Sequence, residues 1–398
     1  MTSDFKGKKI LYLWKGEYPW DVRIDKICSS LSDAGAEVYV LAKYNNEPDV
    51  YQKFNNYNII RFGRGKPELF RLPVPYNPFW QNAVTNATTE IKPDIIIVRE
   101  IMLGTQAAAT AKKMNIPVIL DMAENYPALM LLWKKYRYGL FNRLIYHKLR
   151  IAEITEKIVV PRMSGILLVC SEQIERLTSL YNYPEDKISV VHNTVSREFG
   201  KNIRNNPQSR KLPDDDVITF CHHGYLTDEK KINVFLEALL RVKEHENRFR
   251  FIIAGSGESY DELIEIHKSH GEPRNVIFKG TYDYVELPKI LANCDYGVLP
   301  YQINDFNEYT IHNKIFDYFA FSKPVIVSQV KPLSRIIGET SAGIIADFSE
   351  PGACMQLFDK ISSCNYNQMS FNAGKAFTDK YHWEKDSDTL IKFLSNYL

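Results

Sequence analysis

Two clusters in the chain bring together residue types that could hold an anionic, hydroxyl-rich ligand. The first lies in YTIHNKIFDYFAFSKPVIVSQV, Tyr309 to Val330. Thr310, His312, Asn313 and Lys314 stand directly before a helix-like apolar run, and Asp317 follows one turn inside it. A helix start presents N–H groups to anions, a lysine adds a point charge, and a carboxylate accepts from hydroxyls. A solvated helix start would explain one or two polar residues, not four feeding a helix with its own carboxylate. The second cluster, HHGYLTDEKK, holds His222, His223, Gly224 and Lys230. Neighbouring residues on a strand point to opposite faces, so the histidine pair, with no third ligand nearby, implies no metal. Gly224, and Gly255 and Gly257 of AGSG, read as tight turns where backbone can approach a ligand, which any strand-to-helix turn also uses.

These clusters need a scaffold. At 398 residues the chain exceeds what one hydrophobic core usually supports, so two domains are expected. Composition is that of a soluble globular protein, 45% hydrophobic and 25% charged. A net charge of +2 gives no overall footprint for nucleic acid. The six cysteines form no C-x-x-C pair, which fits a reducing compartment rather than a zinc or disulfide framework. No run approaches the ~18 apolar residues of a spanning helix, and ILYLW is too short for a signal-peptide core. A cytoplasmic protein, with membrane contact peripheral if any, is expected.

Short β-branched runs alternate with helical stretches: KILYLW, EVYVLA, PDIIIVRE, PVILDM and GILLVCS, with helices at 24–34 and 104–114 between them. A second series follows, VITFCHHG, FRFIIAGSG, NVIFKG, DYGVLPY, PVIVS and AGIIAD. Alternation of this kind predicts parallel α/β sheets with helices on both faces. Between the two series, REFGKNIRNNPQSRKLPDDD (197–216) is polar and reads as a linker. Two Rossmann-like halves result, 1–200 and 201–380, facing each other across a cleft, with 381–398 an amphipathic helix.

The order HHGYLTDEKKINVFLEAL, FIIAGSGE, VIFKGTYDYVELPKILANCDYGVLPY and HNKIFDYFAFSKPVIVS resembles the donor half of the GT-B glycosyltransferases, above all the retaining family 4. YPWDVRIDKICSSLSDAGAEVYVL, LDMAENYP and GILLVCSEQIERL extend the likeness over the N-terminal half. The resemblance implies a GT-B fold, a final helix returning toward the N-terminal domain, and transfer of a sugar from a nucleotide-sugar donor to a hydroxyl acceptor with retention. The acceptor would be a glycan or lipid-linked glycan in bacterial polysaccharide or glycoconjugate synthesis. No cofactor or catalytic metal is implied.

By the same resemblance, Asp317 accepts from the donor's ribose hydroxyls, where the family usually has glutamate. Thr310, His312, Asn313 and Lys314 face the diphosphate, as does Lys230, and His223, Gly224, Gly255 and Gly257 line the donor site. Lys230 stands six residues after Gly224, as the family's basic residue does, but Tyr225 replaces the arginine and Lys231 the glycine of many members, and Ala123, followed by Glu124, stands where the usual sugar-contacting histidine would be. Glu124 either takes that role or caps the next helix. Glu308 lies one residue from the register of the family's first carboxylate and reaches the sugar only if the loop holds an extra residue. Asp21 and Arg23 in the first strand-to-helix loop contact the acceptor, or Asp21 caps the helix.

The stretch WKKYRYGLFNRLIYHKLR, Trp133 to Arg150, holds six Lys/Arg, no acid and five aromatics. It reads either as a surface for anionic membrane or, through Leu140, Phe141, Leu144, Ile145 and Leu149, as a core-facing helix. Two other functions stay open. A nucleotide-sugar epimerase of the same fold would use carboxylates such as Glu124 and Glu308, and a binding protein would hold the donor without turnover.

Overall fold

β-Branched runs such as IIIVR cannot alternate polar and apolar faces, and the structure buries them on both. It is a computed structural model that describes residues 5–19, 21–44, 49–133, 143–204, 217–242 and 248–398. Two compact units form, Met1–Asn193 with Asp386–Leu398, and Thr194–Lys385.

Unit 1 is built on an eight-stranded sheet. Its strands are β1 (Lys9–Glu17), β2 (Glu37–Lys43), β3 (Tyr51–Phe54), β4 (Tyr57–Phe62), β5 (Ile95–Arg99), β6 (Val118–Met122), β7 (Gly165–Leu168) and β8 (Ile188–Val190). Their order is β3-β4-β2-β1-β5-β6-β7-β8, parallel except for the antiparallel edge pair β3–β4. That edge pair goes beyond the strands read from sequence. Strand order reverses at β1, so the carboxyl ends of β1 and β5 form the switch point where open α/β sheets take ligands.

Unit 2 holds β9 (Ile218–His223), β10 (Phe249–Ala254), β11 (Val276–Gly280), β12 (Tyr296–Leu299), β13 (Val325–Val327) and β14 (Gly343–Ile345). All are parallel, in the order β11-β10-β9-β12-β13-β14. An aromatic cluster of Phe220, Phe235, Phe251 and Phe358 fills the core on one face. Here the switch point lies between β9 and β12. The two doubly wound α/β halves expected from the sequence are present.

The chain enters unit 2 at Thr194 rather than near 200. The physical reason is packing: Phe199 stacks on Tyr284 and abuts Phe321, while a Cβ on Gly200 would meet Phe377. Part of the expected linker is therefore a helix, Arg197–Arg204, and 205–216 lie outside the described residues. The final helix, Trp383–Ser395, starts in unit 2, where Trp383 N–H donates to Val195 O. From Asp386 onward its residues belong to unit 1, where Asp386 accepts from the backbone N–H of His192 and Tyr397 donates to Ser164 O.

Candidate functional site

At the unit 2 switch point β9 ends in His223 and the chain turns at Gly224 with φ 98°. Lys314 opens the Lys314–Ala320 helix and lays its side chain over that turn, where only glycine leaves room. Lys230 is almost fully buried and donates to Tyr225 O. Burial, reinforced by the Lys314 charge, pulls the Lys230 ammonium down to about 7. Burial also lowers Lys314, against which Asp317 and Glu229 act in the opposite sense. Among the described residues no carboxylate comes within salt-bridge distance of either ammonium. Thr310 adds a buried hydroxyl with no hydrogen-bond partner. Asn313 precedes the helix with its exposed side chain making no capping bond.

Asp317 sits one turn further on, mostly buried. His223 Nε2 lies 3.6 Å from its Oδ2 and has no hydrogen-bond partner, while His223 Nδ1 pairs with the Tyr282 hydroxyl at 3.1 Å. Burial and the nearby Asp317 charge raise the Tyr284 hydroxyl well above its ordinary value. Asp317, His223, Lys314, Lys230, Gly224 and Thr310 thus gather at one end of the unit 2 sheet, as the sequence cluster suggests.

Other expected residues are diverted. His312 lies flat on Tyr301, ring centroids 3.3 Å apart, and its Nε2 donates to Asn307 Oδ1 at 2.9 Å. Burial and two nearby lysines hold the ring neutral, so its single N–H is already spent and phosphate contact would require protonating it. Glu308 accepts from Lys331 N–H and lies 3.5 Å from Lys331 Nζ, which places it at the start of the Lys331–Thr340 helix. A Cβ on Gly255 would sit 2.0 Å from Gly224 O, and one on Gly257 2.2 Å from Leu226 O. These glycines let two loops of unit 2 pass each other, and the space next to them is filled by protein backbone.

His222 donates from Nδ1 to Val298 O and is buried between strands. No group of three or more His, Cys, Asp or Glu side chains among the described residues is placed to hold a metal.

Unit 1 has its own polar cluster at the β1/β5 switch point. Arg23 is not available to an acceptor: its guanidinium is buried, makes a two-pronged bond to Asp121 at 2.7 and 2.9 Å, and donates to Val191 O. Burial alone would raise the Asp121 carboxyl, but Arg23 and Arg99 together hold it low. Asp21 caps the Val22–Asp33 helix through Arg23 N–H and Ile24 N–H, and its other oxygen lies 3.3 Å from Arg99. Arg23 therefore has a structural role in place of the acceptor contact expected of it, and Asp21 takes the capping role that the sequence left open.

The residues that remain are Lys15, Glu100 and Glu124. Lys15 Nζ lies 3.6 Å from Glu100 Oε2 and donates to the Tyr126 hydroxyl. Glu100 ends β5 with φ 65° and ψ 169°, a conformation nearly confined to glycine. Burial and then the Glu100 charge push the Glu124 carboxyl up to about 7. Glu124 does not cap the Tyr126–Leu132 helix, whose N-cap is Asn125. Lys15, Arg99 and Glu100 were missed in the sequence. The cue was their place at the ends of the first and third long apolar runs.

Of the basic Trp133–Arg150 stretch, residues 134–142, with Leu140 and Phe141, lie outside the described residues. Leu144 and Leu149 are about half exposed, at 47% and 53%, so the core-facing reading fails for them. No helix among the described residues is long and apolar enough to cross a membrane.

Comparison with known proteins matches residues 21–199 to the model described as Glycosyltransferase Family 4, and 217–363 to Glycosyl transferases group 1. An uncharacterized glycosyltransferase of Methanocaldococcus jannaschii is 28% identical over 228 residues, 55% of this chain and 56% of that one. The chain thus matches about half the length of that relative. Sucrose-phosphate synthase from Thermosynechococcus elongatus shares the fold over 98% of both chains, with TM-score 0.73 at 13% identity. Anabaena HepE in complex with UDP aligns over 98% of this chain and 100% of that one, with TM-score 0.70 at 14% identity.

Proposed function

The chain belongs to the family 4, group 1 glycosyltransferases, and from that premise we propose that it moves a sugar from a nucleotide-sugar donor to a hydroxyl acceptor with retention of configuration. One observation carries the reading: two lysine ammoniums, the buried Lys230 and the half-buried Lys314, meet at a sheet switch point with no carboxylate in salt-bridge range among the described residues. Holding unpaired charge out of water costs several kcal/mol, and a bound diphosphate offsets that cost. HepE, which shares the fold, binds UDP, and a nucleoside diphosphate supplies both the anion for the lysines and the ribose for Asp317.

The chemistry then rests on placed charge. As the bond from the anomeric carbon to the diphosphate oxygen lengthens, Lys314 and Lys230 take up the charge growing on the leaving group. Preorganised groups of this kind supply several kcal/mol of transition-state stabilisation. The acceptor oxygen attacks from the face the diphosphate leaves and passes its proton to the departing phosphate oxygen beside it, which preserves configuration. We assign diphosphate neutralisation to the lysines, with no cofactor and no catalytic metal. Lys15, Glu100 and Glu124 in unit 1 are the groups offered to acceptor hydroxyls. The acceptor class is a glycan or lipid-linked glycan of polysaccharide or glycoconjugate synthesis, reached in the cytoplasm at an anionic membrane face.

Calorimetry with nucleoside, monophosphate and diphosphate on wild type, Asp317→Ala and Lys314→Ala tests the reading. A hydrogen bond to a charged group is worth roughly 1.5–3 kcal/mol, so Asp317→Ala should weaken all three ligands about ten- to hundredfold. Asp317→Glu should keep most of the affinity. Lys314→Ala should hurt the diphosphate far more than the nucleoside. Unchanged diphosphate affinity in both alanine variants would end it. With a hydroxyl acceptor and excess chelator present, sugar transfer should persist; donor isomerisation instead would show an epimerase.

A further inference from the structure

Beside Asp317, Tyr284 holds an unusual position. It stands on a short turn, Tyr284–Glu286, fixed by a reciprocal cap between Asp283 and Glu286. The residue is 55% exposed. One face of its ring is stacked on Phe199, centroids 5.3 Å apart and planes within 16°. Phe199 in turn meets Phe321 edge-on at 5.7 Å, and Phe321 closes the same Lys314–Ala320 helix that carries Asp317. The stack therefore reaches the helix of Asp317, whose carboxylate the buried, unpartnered His223 Nε2 also approaches at 3.6 Å. A rigid aromatic face is thus held next to the carboxylate assigned to ribose.

Resting on the donor reading above, we propose that Tyr284, backed by Phe199, is the platform on which the donor's base stacks. The covalent distance from base to ribose is short, and the aromatic face lies directly beside the ribose carboxylate. Backing by Phe199 matters because an unsupported exposed ring would have to be ordered by the ligand, at an entropic cost. Phe199 lies just inside the start of unit 2 at Thr194, so the segment that begins this unit takes part in donor binding without touching phosphate.

The test uses the full chain, with UDP and inorganic pyrophosphate as probes in calorimetry. Base–aromatic stacking contributes enough that Tyr284→Ala should weaken UDP about ten- to hundredfold, with pyrophosphate unchanged. Tyr284→Trp should restore UDP binding. Tyr284→Phe, which keeps the ring, should bind UDP about as tightly as wild type. Phe199→Leu should weaken UDP severalfold and leave pyrophosphate alone.

The assignment is overturned if Tyr284→Ala leaves UDP affinity unchanged or weakens pyrophosphate equally, or if Tyr284→Phe behaves like Tyr284→Ala. If UDP binding depends on Asp317 and Lys314 but not on Tyr284, the platform falls and the donor reading stands. If a folded wild-type protein binds none of UDP, GDP, ADP and dTDP, both fall together.

Discussion

A Cβ on Gly224 would stand 2.7 Å from Cε of Lys314 and 3.2 Å from its Nζ. The turn after β9 is therefore glycine so that the lysine of a distant helix can lie across it. Gly224→Ala should push the ammonium aside and strain a backbone at φ 98°. Alanine at positive φ destabilises by more than about 1 kcal/mol, and calorimetry should show diphosphate affinity falling at least about tenfold. Nucleoside affinity, which does not use Lys314, should change little. Equal losses for both ligands would point to general collapse of the turn.

Lys230 predicts a pH dependence. Its ordinary value of 10.5 is pulled down to about 7, so in the free protein the cation is present below 7 and lost above it. In the proposed donor site, binding requires the cation. Nucleotide-sugar affinity should therefore be flat below about pH 6 and fall by up to about tenfold per pH unit above 7. The fall should stop at the higher pKa that Lys230 acquires beside the diphosphate. Lys230→Arg remains charged throughout and should flatten the profile, as should Lys230→Ala at a weaker level. A wild-type profile flat from pH 6 to 9 would contradict the assignment.

Both sheets were legible because continuous runs such as IIIVR and FRFIIA can only be central strands. The short edge strand YQKF (β3) was not, since it alternates weakly and is defined by its partner β4. The polar cluster at the end of the unit 2 sheet was legible because Thr310, Lys314 and Asp317 are close in sequence and share one helix start. His312 and Glu308 belong to the same stretch, but their partners Tyr301, Asn307 and Lys331 decide where they point. In unit 1 the decisive pair, Arg23 and Asp121, is 98 residues apart. Only the strand order brings the helix after β1 against the end of β6, so Arg23 read as a ligand contact when it is an internal brace.

That brace makes a prediction of its own. Arg23→Ala leaves Asp121 buried with Arg99 at 3.6 Å as its remaining ion-pair partner. Removing one member of a buried pair costs about 3–5 kcal/mol, and Arg99 moves the expectation to the low end. Urea denaturation should show that loss, while the acceptor KM at low temperature should stay within about threefold of wild type. A large KM change with unaltered stability would return Arg23 to the acceptor site.

The half-exposed Leu144 and Leu149 stand in a run of lysines and arginines. If this surface docks on membrane, liposome sedimentation should require anionic lipid and weaken as salt rises from ~0.05 to ~0.5 M. Substituting both leucines with Ser should reduce binding at fixed charge. Binding indifferent to lipid charge and salt would separate the stretch from any membrane role.

Glu124 tests the unit 1 cluster through stability. Its carboxyl is raised from the ordinary 4.5 to about 7 by burial and by Glu100. Below about 4.5 the folded and unfolded chains both hold the proton, and the group has no effect on stability. Between 4.5 and 7 the folded protein keeps a proton that the unfolded chain has released, so stability falls as pH rises. Above 7 the full penalty is present. Glu124→Gln, which is always neutral, should therefore be the more stable protein at pH 8, by roughly 1 kcal/mol or more, a Tm rise of about 2–4 °C. The advantage should vanish near pH 4.5. Glu100→Gln should reproduce part of it, because the Glu100 charge contributes to the shift. If Glu124→Gln is less stable than wild type at pH 8, its carboxylate is stabilised rather than penalised, and the paired-carboxylate picture of this cluster is wrong.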